Sequence, residues 1–210
     1  ARWTETQYKQ ALQKVQEYIK AGDCYQINLT QEFTAKAHGQ LLSAVEAFWQ
    51  LTDAPYSGYL RSDDFELLSC SPELFIDFQT HRKIITKPIK GTMPRYADPV
   101  LDEQSKQRLM ASEKDQAENV MIVDLLRNDL SVYAETGSVK TPKLFNIESF
   151  NQVHHMVSEV EATLKAEVHP FHVLLSALPG GSITGAPKIR AMQIIEELEG
   201  APRGAYCGSM

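Results

Sequence analysis

The sequence has little cysteine, no basic run and no long apolar run, and each shortage excludes a class of protein. Its 210 residues include three cysteines, Cys24, Cys70 and Cys207, which are widely spaced and odd in number. Such spacing fits neither a zinc site nor a disulfide framework. We therefore expect reduced thiols in a cytoplasmic protein.

Charge and hydropathy exclude two further classes. The 21 basic residues are outnumbered by 27 acidic ones, the net charge is -6, and the basic residues form no cluster. This balance argues against a nucleic-acid partner. No segment has the roughly 20 apolar residues that span a bilayer, and no leader precedes a small-residue cleavage site. We expect a protein that is neither secreted nor membrane-embedded.

Apolar spacing predicts a mixture of helices and short strands. Thr4 and Gln7 form a possible capping box for a helix that Gly22 ends, and a period-two pattern predicts a strand over 24–35. Further helices are expected over 41–51, 102–130, 171–178 and 188–198, and strands over 56–61, 66–69, 74–78, 83–86, 144–150 and 153–160, with another beginning at 204. The short connections favour antiparallel hairpins, so the predicted class is α+β, as one domain over 1–210.

Two side chains are candidates for proton transfer and nucleophilic attack. Lys90 lies in Lys-Pro-Ile-Lys-Gly-Thr, where we expect a tight turn at a strand end, and Glu73 follows Ser71-Pro72 at the start of a strand. Solvated surface charges are the ordinary interpretation of both. A nucleophilic lysine needs a lowered pKa, and a general acid needs a raised pKa.

Asp115 and Glu118 are three residues apart, so a helix would project both carboxylates from one face. A solvated acidic face and a divalent metal site are both open interpretations. Magnesium takes one or two protein carboxylates and completes its shell with water and substrate oxygens, so this pair is sufficient for an anionic substrate.

The segment Pro179 to Lys188 is a glycine-rich loop before a helix, with Pro187 expected in the first helical turn. It lacks the lysine and the hydroxyl residue of a phosphate-binding P-loop, so we exclude nucleotide binding. Two interpretations of the loop remain, a structural turn and a binding site for a carboxylate. His154 and His155 lie on a predicted strand and point to opposite faces, so they cannot share a metal ion. A buried structural histidine is the ordinary alternative to a cleft histidine.

Together these segments resemble the chorismate-binding enzyme family along nearly the whole chain. The resemblance rests on the following collinear motifs: Gly22-Asp23 with Tyr25 to Leu29, Ser71-Pro72-Glu73, Pro88-Ile89-Lys90-Gly91-Thr92, Ala117-Glu118, Asp124 to Asp129, His155, and Pro179 to Lys188. Gln26 stands where water-using relatives have a lysine, and Lys90 is typical of the aminodeoxychorismate synthases. The family fold has antiparallel sheets packed with outer helices.

The resemblance implies an amination of chorismate at C4. Lys90 would add to the ring at C2 and Glu73 would protonate the departing hydroxyl. Thr92, His155, Gly180, Gly181, Ser182 and Gly185 would bind the substrate, and Glu118 with Asp115 would hold Mg2+. Ammonia would come from a glutamine amidotransferase subunit, for para-aminobenzoate and folate biosynthesis.

The resemblance also implies that the chain lacks the family's C-terminal part, which carries further metal ligands. We therefore expect the 210 residues alone to be inactive. Two alternatives are an anthranilate synthase component I and a non-catalytic chorismate-binding module.

Overall fold

The computed structural model describes residues 1–209. Their contacts divide into two compact units, one of residues 1–38 with 178–209 and one of residues 39–177. In chain order the elements are α1 (Glu5–Ala21), β1 (Gln26–Ile27), α2 (Val45–Thr52), β2 (Tyr56–Arg61), β3 (Glu66–Ser71), β4 (Leu74–Phe78), β5 (Lys83–Lys87), β6 (Ile89–Pro94), α3 (Pro99–Met110), α4 (Glu113–Ser131), β7 (Lys140–Ser149), β8 (Val153–Thr163), α5 (Pro170–Ala177), α6 (Gly181–Thr184), β9 (Gly185–Ala186) and α7 (Lys188–Glu199).

The first helix begins and ends at the residues that the sequence predicts. The Thr4 hydroxyl accepts the backbone N–H of Gln7, and the Gln7 side chain accepts the backbone N–H of Thr4. Gly22 ends the helix in the left-handed region, with φ of 83°. Both capping predictions are confirmed. At the start of the helix, the Thr4 and Gln7 side chains accept amide groups that would otherwise be unpaired.

The long strand predicted over 24–35 is wrong. Only Gln26 and Ile27 form a strand, which pairs antiparallel with β9. Beyond them the backbone bonds to single partners: the amide of Asn28 donates to the carbonyl of Thr184, and the amide of Thr30 donates to the carboxylate of Glu199. These bonds replace a strand ladder, so the period-two pattern describes an extended segment without a long neighbouring strand.

The second unit is built around an antiparallel sheet with β8 at its centre. β7 lies along one edge of β8, β5 and β6 follow each other along the opposite edge, and β4 lies outside β5. β2 and β3 form a separate hairpin. The predicted antiparallel pairing and the α+β class with helices packed on the sheets are confirmed.

The single helix predicted over 102–130 is in fact two helices, α3 and α4. Ser112 has extended backbone angles and its hydroxyl accepts the amide of Asp115, so it begins a new helix instead of continuing the old one. Helix α4 packs on β8, where Val123 and Leu130 join Ile84 and Val160 in a buried apolar core.

Two smaller predictions at the chain's end also need correction. Pro187 precedes the first turn of α7 as its N-cap residue, because its ψ of 140° is extended. Residues 204–207 form a turn where the sequence predicts the start of a strand, and Met210 lies outside the described residues. Throughout residues 1–209, every helix is too short or too polar to cross a lipid bilayer.

Candidate active site

Lys90 lies in a β-bulge. Strand β6 pairs with β8 at Ile89 and again at Thr92, and the register shifts between these two positions. Lys90 and Gly91 therefore stand together opposite a single residue of β8, Met156. A bulge bends its strand and redirects a side chain, which is why bulges recur beside active sites. The turn expected from the sequence is wrong, since both residues stay inside the strand.

Glu73 contacts the backbone directly before Lys90. Its carboxylate Oε1 accepts a hydrogen bond of 3.2 Å from the amide of Ile89. The Ser71 hydroxyl accepts the Glu73 amide and donates to the Glu73 carbonyl, which fixes the chain at this point. The two residues that the sequence nominates for proton transfer and attack are therefore neighbours in the fold.

Gly91 allows helix α4 to approach the bulge. A Cβ atom on Gly91 would lie 2.9 Å from Cβ and Cγ of Asp115 and 2.9 Å from Cδ1 of Leu109. The residue also has a φ of 86°, which an L side chain rarely adopts. Glycine is thus required twice, for its backbone angle and for the close approach of Asp115.

The carboxylates of Asp115 and Glu118 lie in the first turns of α4, as their spacing predicts. Asp115 is half-buried above Gly91, and Glu118 is half-buried with Oε1 3.8 Å from the ammonium of Lys114. Asp115 lies in the first turn, where the helix dipole favours a negative charge.

This carboxylate pair fits a magnesium ion in part. Within residues 1–209, no group of three acidic, histidine or cysteine side chains is close enough together to hold a metal. The pair offers hard oxygen ligands in the number that Mg2+ usually takes from a protein, and water and substrate would supply the rest. The predicted magnesium site stays a prediction.

Thr92 and His155 pair across β6 and β8 and share a hydrogen bond of 2.9 Å between Oγ1 and Nδ1. The Phe150 ring lies against the imidazole, with ring centres 5.4 Å apart. Burial lowers the pKa of His155 below its ordinary value, although a backbone hydrogen bond with Gly91 and the charge of Glu148 oppose the shift. A neutral imidazole at this position can exchange hydrogen bonds with Thr92 or a ligand.

His154 points to the other face of the sheet, as predicted, and has a structural role. It is buried, with Nε2 3.0 Å from Asp102 and Nδ1 2.7 Å from Ser149. Hydrogen bonds from the Tyr96 amide and from Arg95 lower the pKa of Asp102 to about 2. The carboxylate therefore stays charged and satisfies the buried imidazole.

The glycine-rich loop belongs to the first unit. Gly180 precedes the four-residue helix α6, and the Thr184 hydroxyl donates to the Gly180 carbonyl. A Cβ atom on Gly185 would lie 2.1 Å from the Gln26 carbonyl oxygen, so only glycine fits against β1. Gly180, Gly181 and Gly185 are buried and Ser182 is half-buried. Their role in substrate binding stays a prediction.

A sequence profile described as chorismate binding enzyme matches residues 1–210. The chain belongs to this family. The resemblance drawn from the collinear motifs is thereby confirmed for the whole chain.

Two relatives within the chorismate binding enzyme family carry curated names. Aminodeoxychorismate synthase component 1 of Klebsiella aerogenes is 49% identical over 210 residues, which are 100% of this chain and 46% of the relative. Anthranilate synthase component 1 of Bacillus subtilis is 43% identical over 198 residues, which are 94% of this chain and 38% of the relative. The chain thus spans less than half the length of either relative.

A solved structure has the same fold. Anthranilate synthase component I from Streptococcus pneumoniae superposes with a TM-score of 0.90 at 30% identity, over 100% of this chain and 46% of that one. The superposition includes the whole of the present chain, and its TM-score is high. The chorismate-utilising fold expected from the motifs is therefore confirmed.

The second unit brings five of the ten predicted site residues of this chorismate binding enzyme together on or against one strand, β6, which itself carries Lys90 and Thr92. Glu73, Asp115 and His155 each touch β6 within two residues of Lys90. Sequence reasoning missed the function of Gly91. Its residue type signals an unusual backbone angle, but the bulge itself depends on the register with β8.

Proposed function

We propose that the chain forms part of component 1 of an aminodeoxychorismate synthase, which replaces the C4 hydroxyl of chorismate with an amine from ammonia. Identity of 49% to the Klebsiella aerogenes component supports this, as does the lysine in Pro-Ile-Lys-Gly-Thr. The alternative of a non-catalytic binding module is less favoured, because Lys90 and Glu73 are both present and adjacent.

One contact carries the proposal. The Glu73 carboxylate is held by the amide of Ile89, so an acid and an amine are attached to the same short stretch of backbone. Proton transfer and nucleophilic attack need such fixed neighbours, since effective catalysis depends on prior orientation. Both side chains are half-buried, an environment in which the ionisation of an acid or an amine can be adjusted.

The first step forms a bond to the protein. The neutral amine of Lys90 adds to C2 of the ring, the two conjugated ring double bonds each shift one position toward C4, and the C4–O bond breaks. Glu73 gives its proton to the departing hydroxyl, which leaves as water. The amine nitrogen, which is positively charged after the addition, returns one proton to the Glu73 carboxylate, so the net change is loss of water from chorismate and lysine.

The second step releases the protein. Ammonia adds to C4, both ring double bonds shift back, and the bond between C2 and Lys90 breaks. The added nitrogen loses one proton and the departing lysine nitrogen gains one, so the lysine returns to its neutral amine. Thr92 and neutral His155 would orient the ring through hydrogen bonds. Asp115 and Glu118 would hold Mg2+, which supplies positive charge opposite a substrate carboxylate when bound.

The proposed reaction also implies a source of ammonia, a use for the product and a cellular location. A glutamine amidotransferase subunit would supply ammonia, and the product would enter para-aminobenzoate and folate synthesis in the cytoplasm. We expect the 210 residues alone to be inactive, because they correspond to less than half of the named relatives. Tests therefore use a polypeptide of the relatives' length that contains this chain, called the extended protein below.

A second candidate function is anthranilate synthesis. The 43% identity to the Bacillus subtilis enzyme and the superposition on the Streptococcus pneumoniae structure favour it. That reaction would aromatise the ring and eliminate pyruvate. Anthranilate fluorescence and product mass distinguish the two outcomes.

The test compares Lys90→Ala with Lys83→Ala in the extended protein. Lys83 is a matched control because it lies one strand earlier and makes a surface ion pair of 2.6 Å with Glu161. With chorismate, ammonium and Mg2+, we expect unmodified protein and Lys83→Ala to form 4-amino-4-deoxychorismate by mass spectrometry. Lys90→Ala should lose about 100-fold or more of kcat, the scale of losing an attacking group.

Either of two results would overturn the proposal. Anthranilate as the product of the unmodified protein would favour the second candidate. Equal rates of aminodeoxychorismate formation by the two lysine variants would exclude Lys90 as the nucleophile.

A further inference from the structure

Ser158 connects three parts of the second unit at one buried point. It lies where β8 passes from β5 to β6, and its amide donates to the Pro88 carbonyl at 3.1 Å. Its hydroxyl accepts the amide of Phe145 at 3.1 Å and donates to Oδ1 of Asn119 at 2.5 Å. Ser158 therefore joins the strand entering the Lys90 bulge to helix α4.

Asn119 occupies the helix position directly after Glu118 and one turn after Asp115. Its side chain is fully buried, yet its Nδ2 group makes no hydrogen bond to any residue between 1 and 209. A buried donor without a partner costs stability, so an apolar side chain would suit the core better. Stability alone does not account for an asparagine at this position.

The location of the Ser158–Asn119 hydrogen bond explains why an asparagine is present in the core. Pro88 is two residues before Lys90, and Asn119 is adjacent to Glu118, so the bond between Ser158 and Asn119 spans the two elements of the proposed site. A directional hydrogen bond fixes the rotation and height of a helix over a sheet, whereas apolar packing alone permits small shifts. Such supporting bonds determine whether site groups are held within about 0.5 Å of the required geometry.

We propose that Ser158 and Asn119 are positioning residues, whose hydrogen bond holds the carboxylates of Asp115 and Glu118 in register with the Lys90 bulge. The inference rests on the proposed function, because it assigns these carboxylates to metal binding. Neither positioning residue needs to touch the substrate.

The test uses Ser158→Ala and Asn119→Leu in the extended protein. Asn119→Leu removes the unpaired donor and should remain folded even if Ser158→Ala does not. Ser105→Ala is the matched control, since Ser105 is also buried and its hydroxyl also donates a hydrogen bond, to the carbonyl of Pro94 at 2.7 Å. Ser105 lies on α3, so removal of its hydroxyl leaves the hydrogen bond between α4 and β8 intact.

Two titrations report on the carboxylates. One is the Mg2+ concentration that gives half-maximal formation of aminodeoxychorismate, and the other is binding of Mn2+ without chorismate, measured from the electron paramagnetic resonance of the free ion. A simple loss of folded protein lowers the amplitude of both curves without moving their midpoints. We expect both midpoints to rise roughly tenfold or more in Ser158→Ala and Asn119→Leu, the scale seen for supporting groups at metal sites, and to stay within about twofold in Ser105→Ala.

Unchanged midpoints in both variants would overturn the inference, as would an equal rise in Ser105→Ala. Failure of the proposed function has a different signature. If the unmodified protein forms no aminodeoxychorismate, the amination assignment is wrong, and the Mn2+ titration alone then decides whether Ser158 and Asn119 position the carboxylates.

Discussion

Gly91 and Asp115 are packed so closely that a β-carbon on the glycine would lie 2.9 Å from two atoms of the aspartate side chain. This contact joins the strand that carries Lys90 to the helix that carries the predicted metal ligands. Gly91 also has a φ of 86°. Gly91 therefore provides both the backbone angle of the bulge and the space that helix α4 occupies.

Replacement of Gly91 by alanine should disturb stability and activity together. Gly137→Ala is a matched control, since its φ of 78° is equally left-handed but nothing lies within 4 Å of the added Cβ. We expect Gly137→Ala to cost about 1 kcal/mol of unfolding free energy from backbone strain. Gly91→Ala should cost a further 1–3 kcal/mol, roughly, from the clash. Urea unfolding of both variants measures the difference, and equal costs would contradict the contact.

The Ser112 cap should matter more to metal binding than an equivalent cap elsewhere. Ser112→Ala removes the hydroxyl that accepts the Asp115 amide, and Thr4→Ala removes the corresponding cap of α1. Each should cost about 1 kcal/mol of stability. Only Ser112→Ala should raise the half-saturating Mg2+ concentration of the extended protein, because it loosens the turn containing Asp115. A similar rise in Thr4→Ala would show a general loss of structure instead.

The pKa of His155 should lie below its ordinary value of 6.5 because the imidazole is half-buried, which disfavours its charged form. The unfolded chain then binds the proton first as the pH falls, so the stability due to this group is complete above about pH 6.5 and declines below it. Phe150→Ala should expose the ring and raise its pKa toward the ordinary value. An NMR titration of the histidine signals measures both values, and a pKa of 6.5 or more in the unmodified protein would contradict the burial.

Asp102 should contribute stability that disappears in acid. Its pKa is lowered from 3.8 to about 2 by the Tyr96 amide and Arg95. A carboxyl with a depressed folded pKa stabilises the fold above its unfolded pKa, and this contribution is lost as the pH falls from about 3.8 toward 2. Asp102→Asn should therefore flatten the fall in unfolding free energy across this interval. Asp124→Asn, at an exposed ion pair with Arg127, is the control and should leave the profile unchanged.

Local sequence signals predicted much of the fold because they act within a few residues. The capping box at Thr4, the end of α1 at Gly22 and the short antiparallel strands are all confirmed. The predictions of secondary structure failed where residues distant in the sequence determine the backbone's hydrogen bonds. The extended chain after Ile27 bonds to single groups such as Glu199, and no periodicity reveals the lack of a neighbouring strand.

The site was predictable in its residue types and less so in its geometry. The spacing of Asp115 and Glu118 predicted a shared helix face, and the alternation of His154 and His155 predicted opposite faces of β8. The bulge at Lys90 could not be derived from a strand pattern, because it depends on the register with β8. The bond between Ser158 and Asn119 joins residues 39 positions apart, so neither local pattern contains it.

The most direct measurement is peptide mass spectrometry of the extended protein after incubation with chorismate and Mg2+ in the absence of ammonia. Withholding the second nucleophile should leave the ring attached to the protein. We expect the peptide containing Lys90 to gain the mass of chorismate minus one water, and we expect added ammonium to remove the adduct with release of aminodeoxychorismate. Aminodeoxychorismate formation by Lys90→Ala at the unmodified rate, with no adduct on Lys90, would contradict it.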